Sequence, residues 1–231
     1  MFCNIHLLHP ISENIPPEHL LILKSYIFMN KKTKILAIGD IHGDTGLVKR
    51  LAKKAKDENV DLIILAGDLT FMDNSTKNLI GPFIEAGKEV LIIPGNHESK
   101  ETIDFLAEKY PNTKSIHGYS LRRGNLGIFG SGTIDWGIDS GETRKLFKDL
   151  ERGHEKIKDA NKKIMVTHMH HRGGKAEFSG FLGSSGVKKA IKEFHPDILI
   201  SAHIHEAGGI EEQIGETKII NVSRRPKIFE I

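Results

Sequence analysis

With 231 residues, the chain is long enough to bury a substantial core and fits one large α/β domain about as well as two small ones. Hydrophobic residues at 39% and charged residues at 27% are the balance of an ordinary soluble globular protein, which excludes a disordered or membrane-embedded chain. The formal net charge of +3 comes from 33 basic and 30 acidic residues spread along the sequence, so composition alone argues for no nucleic-acid partner. A single cysteine, Cys3, excludes an intramolecular disulfide framework and a multi-cysteine zinc site, and places the chain by default in the cytoplasm.

The apolar run from His19 to Met29 is interrupted by Lys24 and is shorter than the ~20 residues a membrane helix needs, so no membrane span is expected. Pro16-Pro17-Glu18 opens that run as the first turn of an amphipathic helix would. Because Met29-Asn30-Lys31-Lys32 leads straight into the first convincing strand, residues 1–28 read as an extension or a mis-assigned start, and residues 29–231 as one domain.

The first strand is expected at Lys34 to Ile38. A helix follows, with Leu47, Val48, Leu51, Ala52 and Ala55 on its buried side and Lys49, Arg50, Lys53, Lys54 and Lys56 on a solvated face. Buried strands are expected at Asp61 to Leu65 and Val90 to Ile93. Ser99 caps a helix carrying Ile103, Phe105, Leu106 and Tyr110. Leu126 to Gly130 reads as another strand, and residues 139–163 as a charged helical stretch interrupted at Gly153. Strands at Lys163 to Val166 and Asp197 to Ile200 flank a helix with Val187, Ala190, Ile191 and Phe194. Ile210 to Ile214, Lys218 to Val222 and Lys227 to Ile231 form a short antiparallel set with Gly215-Glu216 as a turn. Strand alternating with helix argues for an α/β domain, and the last set for a second sheet.

The five buried runs each end in residues with metal-ligand chemistry. In order these are Asp40-Ile41-His42, Gly67-Asp68, Asn96-His97, Thr167-His168 and His203-Ile204-His205. In α/β sheets the carboxyl ends of strands gather along one edge, where ligands bind. Hard and borderline cations take oxygen and imidazole donors, and Asp40, His42, Asp68, Asn96, His168, His203 and His205 supply both. Seven ligands are too many for one ion. They suit two ions roughly 3.5–4 Å apart with one bridging carboxylate, an arrangement that activates water for in-line displacement at phosphorus. With only two anionic ligands the loaded site stays positive and attracts a phosphate ester. Each motif alone is ordinary turn chemistry, since Asp and Asn commonly follow strands. Five of them in order, each at the end of a buried strand, are not.

That ordered set resembles the signature blocks of the calcineurin-like metallophosphoesterase superfamily. Asp40-x-His42, Gly67-Asp68, Gly95-Asn96-His97-Glu98, His168 and His203-x-His205 carry the likeness, from about Lys34 to Val222. The stretch from Ala202 to Ile210, with Gly183-Ser184 upstream, further resembles small bacterial and archaeal predicted phosphoesterases. The resemblance implies a four-layer α/β/β/α sandwich of two mixed sheets flanked by helices. It implies two divalent transition-metal ions, from among Mn, Fe, Zn, Ni and Co. Asp40, His42, Asp68 and His205 would hold one ion, and Asp68, Asn96, His168 and His203 the other.

It also implies that His97 is a general acid over the leaving-group oxygen, acting on a phosphodiester, a small phosphorylated metabolite or a nucleotide. Glu98 stands where the family usually has Asp, and a carboxylate there is expected to orient the imidazole. Met169-His170-His171-Arg172 replaces the more usual Pro, and these side chains could bind substrate phosphate or form a solvated loop. The loop from Gly173 to Gly186, with Phe178 and Phe181, could line the substrate pocket or simply connect. Trp136 could stack on a substrate base, although single tryptophans more often pack. A non-catalytic scaffold of the same fold binding a protein partner is the alternative from another class, and it is disfavoured because no ligand position is missing. A nuclease is disfavoured by the modest basic charge.

Overall fold

The computed structural model describes residues 32–136 and 140–231, together with the isolated positions 16 and 19. Apart from those two positions, the expectations for residues 1–28 lie outside the described residues. Thr33–Ile231 form one compact unit. In chain order, β1 (Lys34–Ile38), β2 (Leu62–Ala66), β3 (Glu89–Ile93) and β4 (Thr113–Ser115) run parallel, as their pairing registers show. β2 is buried at every position. Continuous aliphatic runs of this kind suit strands covered on both faces.

The connections are α1 (Thr45–Asp57), α2 (Gly81–Glu85) and α3 (Lys100–Lys109). The Asp44 side chain caps α1 by accepting from the Leu47 N–H, and Ser99 caps α3 by accepting from the Thr102 N–H. The basic face of α1 is exposed, as its spacing predicts.

A second sheet contains β5 (Ser120–Arg123), β6 (Leu126–Ser131), β7 (Lys162–Thr167), β8 (Ile198–Ser201), β9 (Glu211–Ile214) and β10 (Thr217–Asn221). Their order is β5-β6-β7-β8-β10-β9, with the outer pairs antiparallel and the middle ones parallel. α4 (Ser140–Glu155) and α5 (Ser185–Phe194) cover its outer face. The second sheet is thus mixed, as the first is through the C-terminal strand that pairs antiparallel with β1.

Three cores hold the layers together. Val48, Leu51, Ile63, Phe83 and Ile103 join the first sheet to its helices. Ile35, Ile64, Ile93, Ile164, Val166 and Ile200 interdigitate between the two sheets. Phe129, Leu146, Leu150, Ile191 and Leu199 join the second sheet to α4 and α5. The result is the expected four-layer α/β/β/α sandwich. Truncating a residue such as Ile64, with no solvent exposure, would cost about 2–5 kcal/mol.

Two expectations are corrected. The strand β11 (Lys227–Glu230) does not join the antiparallel set of β9 and β10. It crosses to the first sheet and pairs antiparallel with β1, Lys34 facing Glu230. Nor does Gly153 interrupt the charged helix, since α4 runs through it to Glu155. A Cβ at residue 153 would crowd the Tyr119 carbonyl and Phe129, so glycine there lets α4 lie close against the sheet.

No helix among the described residues is long and apolar enough to cross a membrane.

Candidate metal centre

The carboxyl ends of β1, β2, β3, β7 and β8 meet along one edge, where the two sheets are stitched together. The Gly39 N–H donates to the Val222 carbonyl at 3.0 Å, and the Arg224 N–H to the Gly39 carbonyl at 3.0 Å. Close approach explains the glycines that precede the ligands. A Cβ at Gly95 would overlap the Asp68 carboxylate, and one at Gly67 would strike the His168 ring. Four non-glycine residues on this edge, Asp40, His42, Asp68 and His203, adopt left-handed backbone with φ of 57°, 48°, 52° and 72°. Such conformations are uncommon for non-glycine residues and cluster where function requires them.

All seven predicted ligands come together. The Asp40 carboxylate has no solvent exposure. Its Oδ2 accepts from the His203 N–H at 3.0 Å and from the Ser223 hydroxyl. Its Oδ1 is buried without a hydrogen-bond partner among the described residues. That oxygen lies 3.4 Å from His205 Nε2 and 3.8 Å from His42 Nε2, and the two imidazole nitrogens are 3.0 Å apart.

On the other flank, Asn96 Oδ1 lies 3.1 Å from His168 Nε2 and 3.0 Å from His203 Nδ1. Those two nitrogens are 3.3 Å apart. Lone-pair atoms so close repel one another unless a proton or a cation sits among them. Ligands at right angles around an ion with bonds of about 2.1 Å stand roughly 3.0 Å apart, so these spacings match edges of a coordination polyhedron.

Asp68 stands between the flanks. Its Oδ1 accepts from the His97 N–H at 2.9 Å. Its Oδ2 lies 3.7 Å from His42 Nε2, 3.5 Å from His168 Nε2 and 4.0 Å from His97 Nε2. Three overlapping sets could therefore hold an ion: Asp40, His42 and His205; His42, Asp68 and His97; Asp40, Asp68 and His168. The donors fit the group, because carboxylate, amide oxygen and imidazole together suit first-row divalent ions. His168 Nδ1 faces the Ala66 carbonyl at 2.9 Å, which can only accept. Nδ1 therefore carries a proton and Nε2 is the free ligand atom.

Electrostatics point the same way. Burial works against ionisation of Asp68, but the hydrogen bond and charge of His168, with the His97 N–H, outweigh it and hold the carboxyl at about 2. Burial would also discharge His168, yet Asp68, then Asp40 and the Ala66 carbonyl, raise it to about 9. Burial and the neighbouring His168 depress His203 to about 3, and burial lowers His42. Without metal, one proton on His168 stands in for a cation.

Glu98 behaves differently from expectation. Its carboxylate turns inward and accepts from the N–H groups of Leu69 at 3.2 Å, Gly95 at 3.1 Å and Thr70 at 3.4 Å. It ties together the loops that carry Asp68 and Asn96 and does not orient His97, whose Nδ1 is buried without a partner among the described residues. Burial and the charge of Asp68 push the Glu98 carboxyl up to about 7.

His170 and His171, at 2% and 1% exposure, are buried and not part of a solvated loop. His170 Nε2 faces the Phe181 carbonyl at 3.3 Å, and Arg172 pairs with Glu177 at 3.8 Å. Phe178 and Phe181 are exposed. Sequence reasoning missed Ser223, although it stands just past the end of β10, a strand-end position like those of the predicted ligands. It also missed Phe71, whose ring stacks on that of His97 at a centroid distance of 5.0 Å.

Residues 33–207 match the calcineurin-like phosphoesterase family, and the chain belongs to it. The chain is 27% identical over 215 residues to an uncharacterized protein of Methanocaldococcus jannaschii, covering 87% of this chain and 92% of that one. The fold is similar to that of the protein TT1561 of Thermus thermophilus, with a TM-score of 0.68 and 20% identity over 87% of this chain and 98% of that one. It is also similar to a dimetal phosphatase from Danio rerio, with a TM-score of 0.58 and 10% identity over 83% and 87% of the two chains. Its family makes the protein a metal-dependent phosphoric ester hydrolase acting on phosphorylated substrates.

Proposed function

We propose that the protein hydrolyses a phosphodiester or a small phosphorylated metabolite at a dinuclear centre, with His97 as general acid. Asp40, His42, Asp68 and His205 would hold one ion, and Asp68, Asn96, His168 and His203 the other. The supporting observation is Asp68, whose Oδ1 is committed to the His97 N–H while Oδ2 lies 3.7 Å from His42 and 3.5 Å from His168, one on each flank. When bound, two divalent ions of the Mn, Fe, Co, Ni or Zn type supply Lewis acidity to the phosphoryl oxygens and a nucleophilic water.

The chain's residues do the rest. Asp68 fixes the backbone of His97, so that Nε2 points into the cluster. As the oxygen of a water that has already given one proton to solvent bonds to phosphorus, the bond from phosphorus to the leaving oxygen breaks, and His97 Nε2 gives that oxygen its proton. Imidazole suits this task because its ordinary pKa lies near neutrality. Ser223 and the His203 N–H hold Asp40 so that its free oxygen faces inward. The single cysteine favours a reducing, cytoplasmic setting.

The test combines metal analysis with a panel of phosphomonoesters and diesters, comparing wild type with His97→Ala. Two ions per chain and turnover that collapses in the variant are expected. One ion per chain, or no turnover with any of the five metals, overturns the reading.

A further inference from the structure

Two aromatic side chains beside the centre are exposed to solvent: Phe71 at 54% and Trp136 at 43%. Each ends a line of ring contacts that starts from a different flank of the ligand cluster. On one side His205 meets His42 at 5.0 Å between centroids, His42 meets His97 at 4.6 Å, and Phe71 stacks on His97 at 5.0 Å. On the other, His168 meets His203 at 5.1 Å, and Trp136 lies edge-on to His203 at 5.5 Å.

The backbone around both rings is pinned. Thr70 Oγ1 donates to the His97 carbonyl at 3.0 Å, and the Asp73 N–H donates to the same oxygen at 2.9 Å, so Phe71 is held between two anchors. Next to Trp136, the fully buried Asp135 accepts from Ser184 Oγ at 2.6 Å and from Thr143 Oγ1 at 3.0 Å. A large ring left half in water gains further burial only when something covers it.

Building on the proposed phosphoesterase reaction, we infer that the site is a two-ended cleft for a phosphodiester bearing a flat ring on each side of phosphorus. Phe71 packs on the leaving group, because it lies against the residue that protonates the leaving oxygen. Trp136 packs on the retained group at the opposite flank. A phosphomonoester would cover only one of the two rings, so the arrangement favours diesters. Nucleobases and aryl groups share the required flat face, and base-on-aromatic stacking is sequence-tolerant for that reason.

The test uses the full chain loaded with Mn²⁺ and two diesters that release the same p-nitrophenolate: bis(p-nitrophenyl) phosphate and methyl p-nitrophenyl phosphate. They differ only in the retained group. Trp136→Ala is expected to lower the ratio of their kcat/KM values about tenfold. Phe71→Ala is expected to lower both values about tenfold while keeping their ratio, with Phe71→Tyr restoring them and Phe71→Leu not. Trp136 is also the chain's only tryptophan, so its fluorescence reports binding without turnover. Phenylphosphonate should quench it at several-fold lower concentration than methylphosphonate. A ratio that does not move in Trp136→Ala, or equal quenching by the two phosphonates, overturns the inference. Failure of wild type to hydrolyse either diester with any metal would instead strike the underlying reaction, and the phosphonate comparison would still decide whether the rings bind.

Discussion

If His168 Nε2 is a metal ligand as proposed, loading the metal-free protein with a divalent ion must displace the proton that His168 holds. Its Nδ1–H is committed to the Ala66 carbonyl at 2.9 Å, so the displaced proton is the one on Nε2, the atom that faces Asn96 and Asp68. With Asp68 and Asp40 holding the imidazole at about 9, the ion competes against a proton whose removal at pH 7 costs about two pH units. That is roughly 2.7 kcal/mol relative to the fully deprotonated imidazole, or about fiftyfold weaker apparent affinity at pH 7 than at pH 9, where half the molecules are still protonated. His203, depressed to about 3, and His42, lowered by burial, contribute no compensating protons in this range. At pH 8, above the value of about 7 for Glu98, the released proton comes chiefly from His168. Titration calorimetry with Mn²⁺ at pH 8, in buffers of different ionisation enthalpy, should give close to one proton released per site that includes His168. The dissociation constant should fall about ninefold from pH 7 to 8 and about fivefold from pH 8 to 9. Affinity that is flat across that range, with heats independent of buffer, would refute the assignment of His168 Nε2 as a ligand atom.

Three further outcomes are expected. His97→Ala should keep its metals and lose about 10²–10⁴-fold in kcat on alkyl esters, but less on p-nitrophenyl esters, whose leaving oxygen needs little protonation; equal losses on both would argue against acid catalysis. Glu98 is pushed from the ordinary 4.5 to about 7 by burial and Asp68, so the folded chain keeps a proton that the unfolded chain sheds. Its contribution is full below about pH 4.5 and is lost as pH rises through about 7, by roughly 3 kcal/mol in total. Denaturant titrations of metal-free wild type and Glu98→Gln should therefore show a stability difference that shrinks in favour of the variant from pH 5 to 8, and a constant difference would exclude this. Gly95→Ala should push the Asp68 carboxylate aside, lowering both the melting temperature and metal uptake; a variant that takes up as much metal as wild type would show that the close approach is not required.

The strands and helices that position the centre are legible in the sequence because the signals that make them are local. Asp44 and Ser99 cap helices as side chains of their type do. The aliphatic runs of β1, β2 and β3 end where the backbone turns, and the ligands follow. What the sequence hides depends on partners far along the chain. Lys227 to Glu230 reads equally well as a third strand beside β10, and only the register against β1 decides its sheet. β4 and β5, built on Thr-Lys-Ser and Ser-Leu-Arg-Arg, lack an apolar run because they lie at sheet edges. Glu98 lies next to His97 in sequence, which invites pairing the two. Its carboxylate instead finds unpaired N–H groups on a loop 28 and 29 positions away, and no local pattern records that. Trp136 stands out as a lone tryptophan, whereas Phe71 is noticeable only once its ring is seen against His97.

The ligand set has a mechanical consequence. Asp40, His42, Asp68 and Asn96 follow strands of one sheet, and His168, His203 and His205 follow strands of the other. The backbone bond from Gly39 to Val222 and the Ser223 hydroxyl on Asp40 already clip the two layers at this edge. Ions bound there would rivet one sheet to the other. Sliding between the layers would then be resisted most strongly where the chemistry happens, and what gives as substrate enters or leaves would be the loops beyond the strand ends.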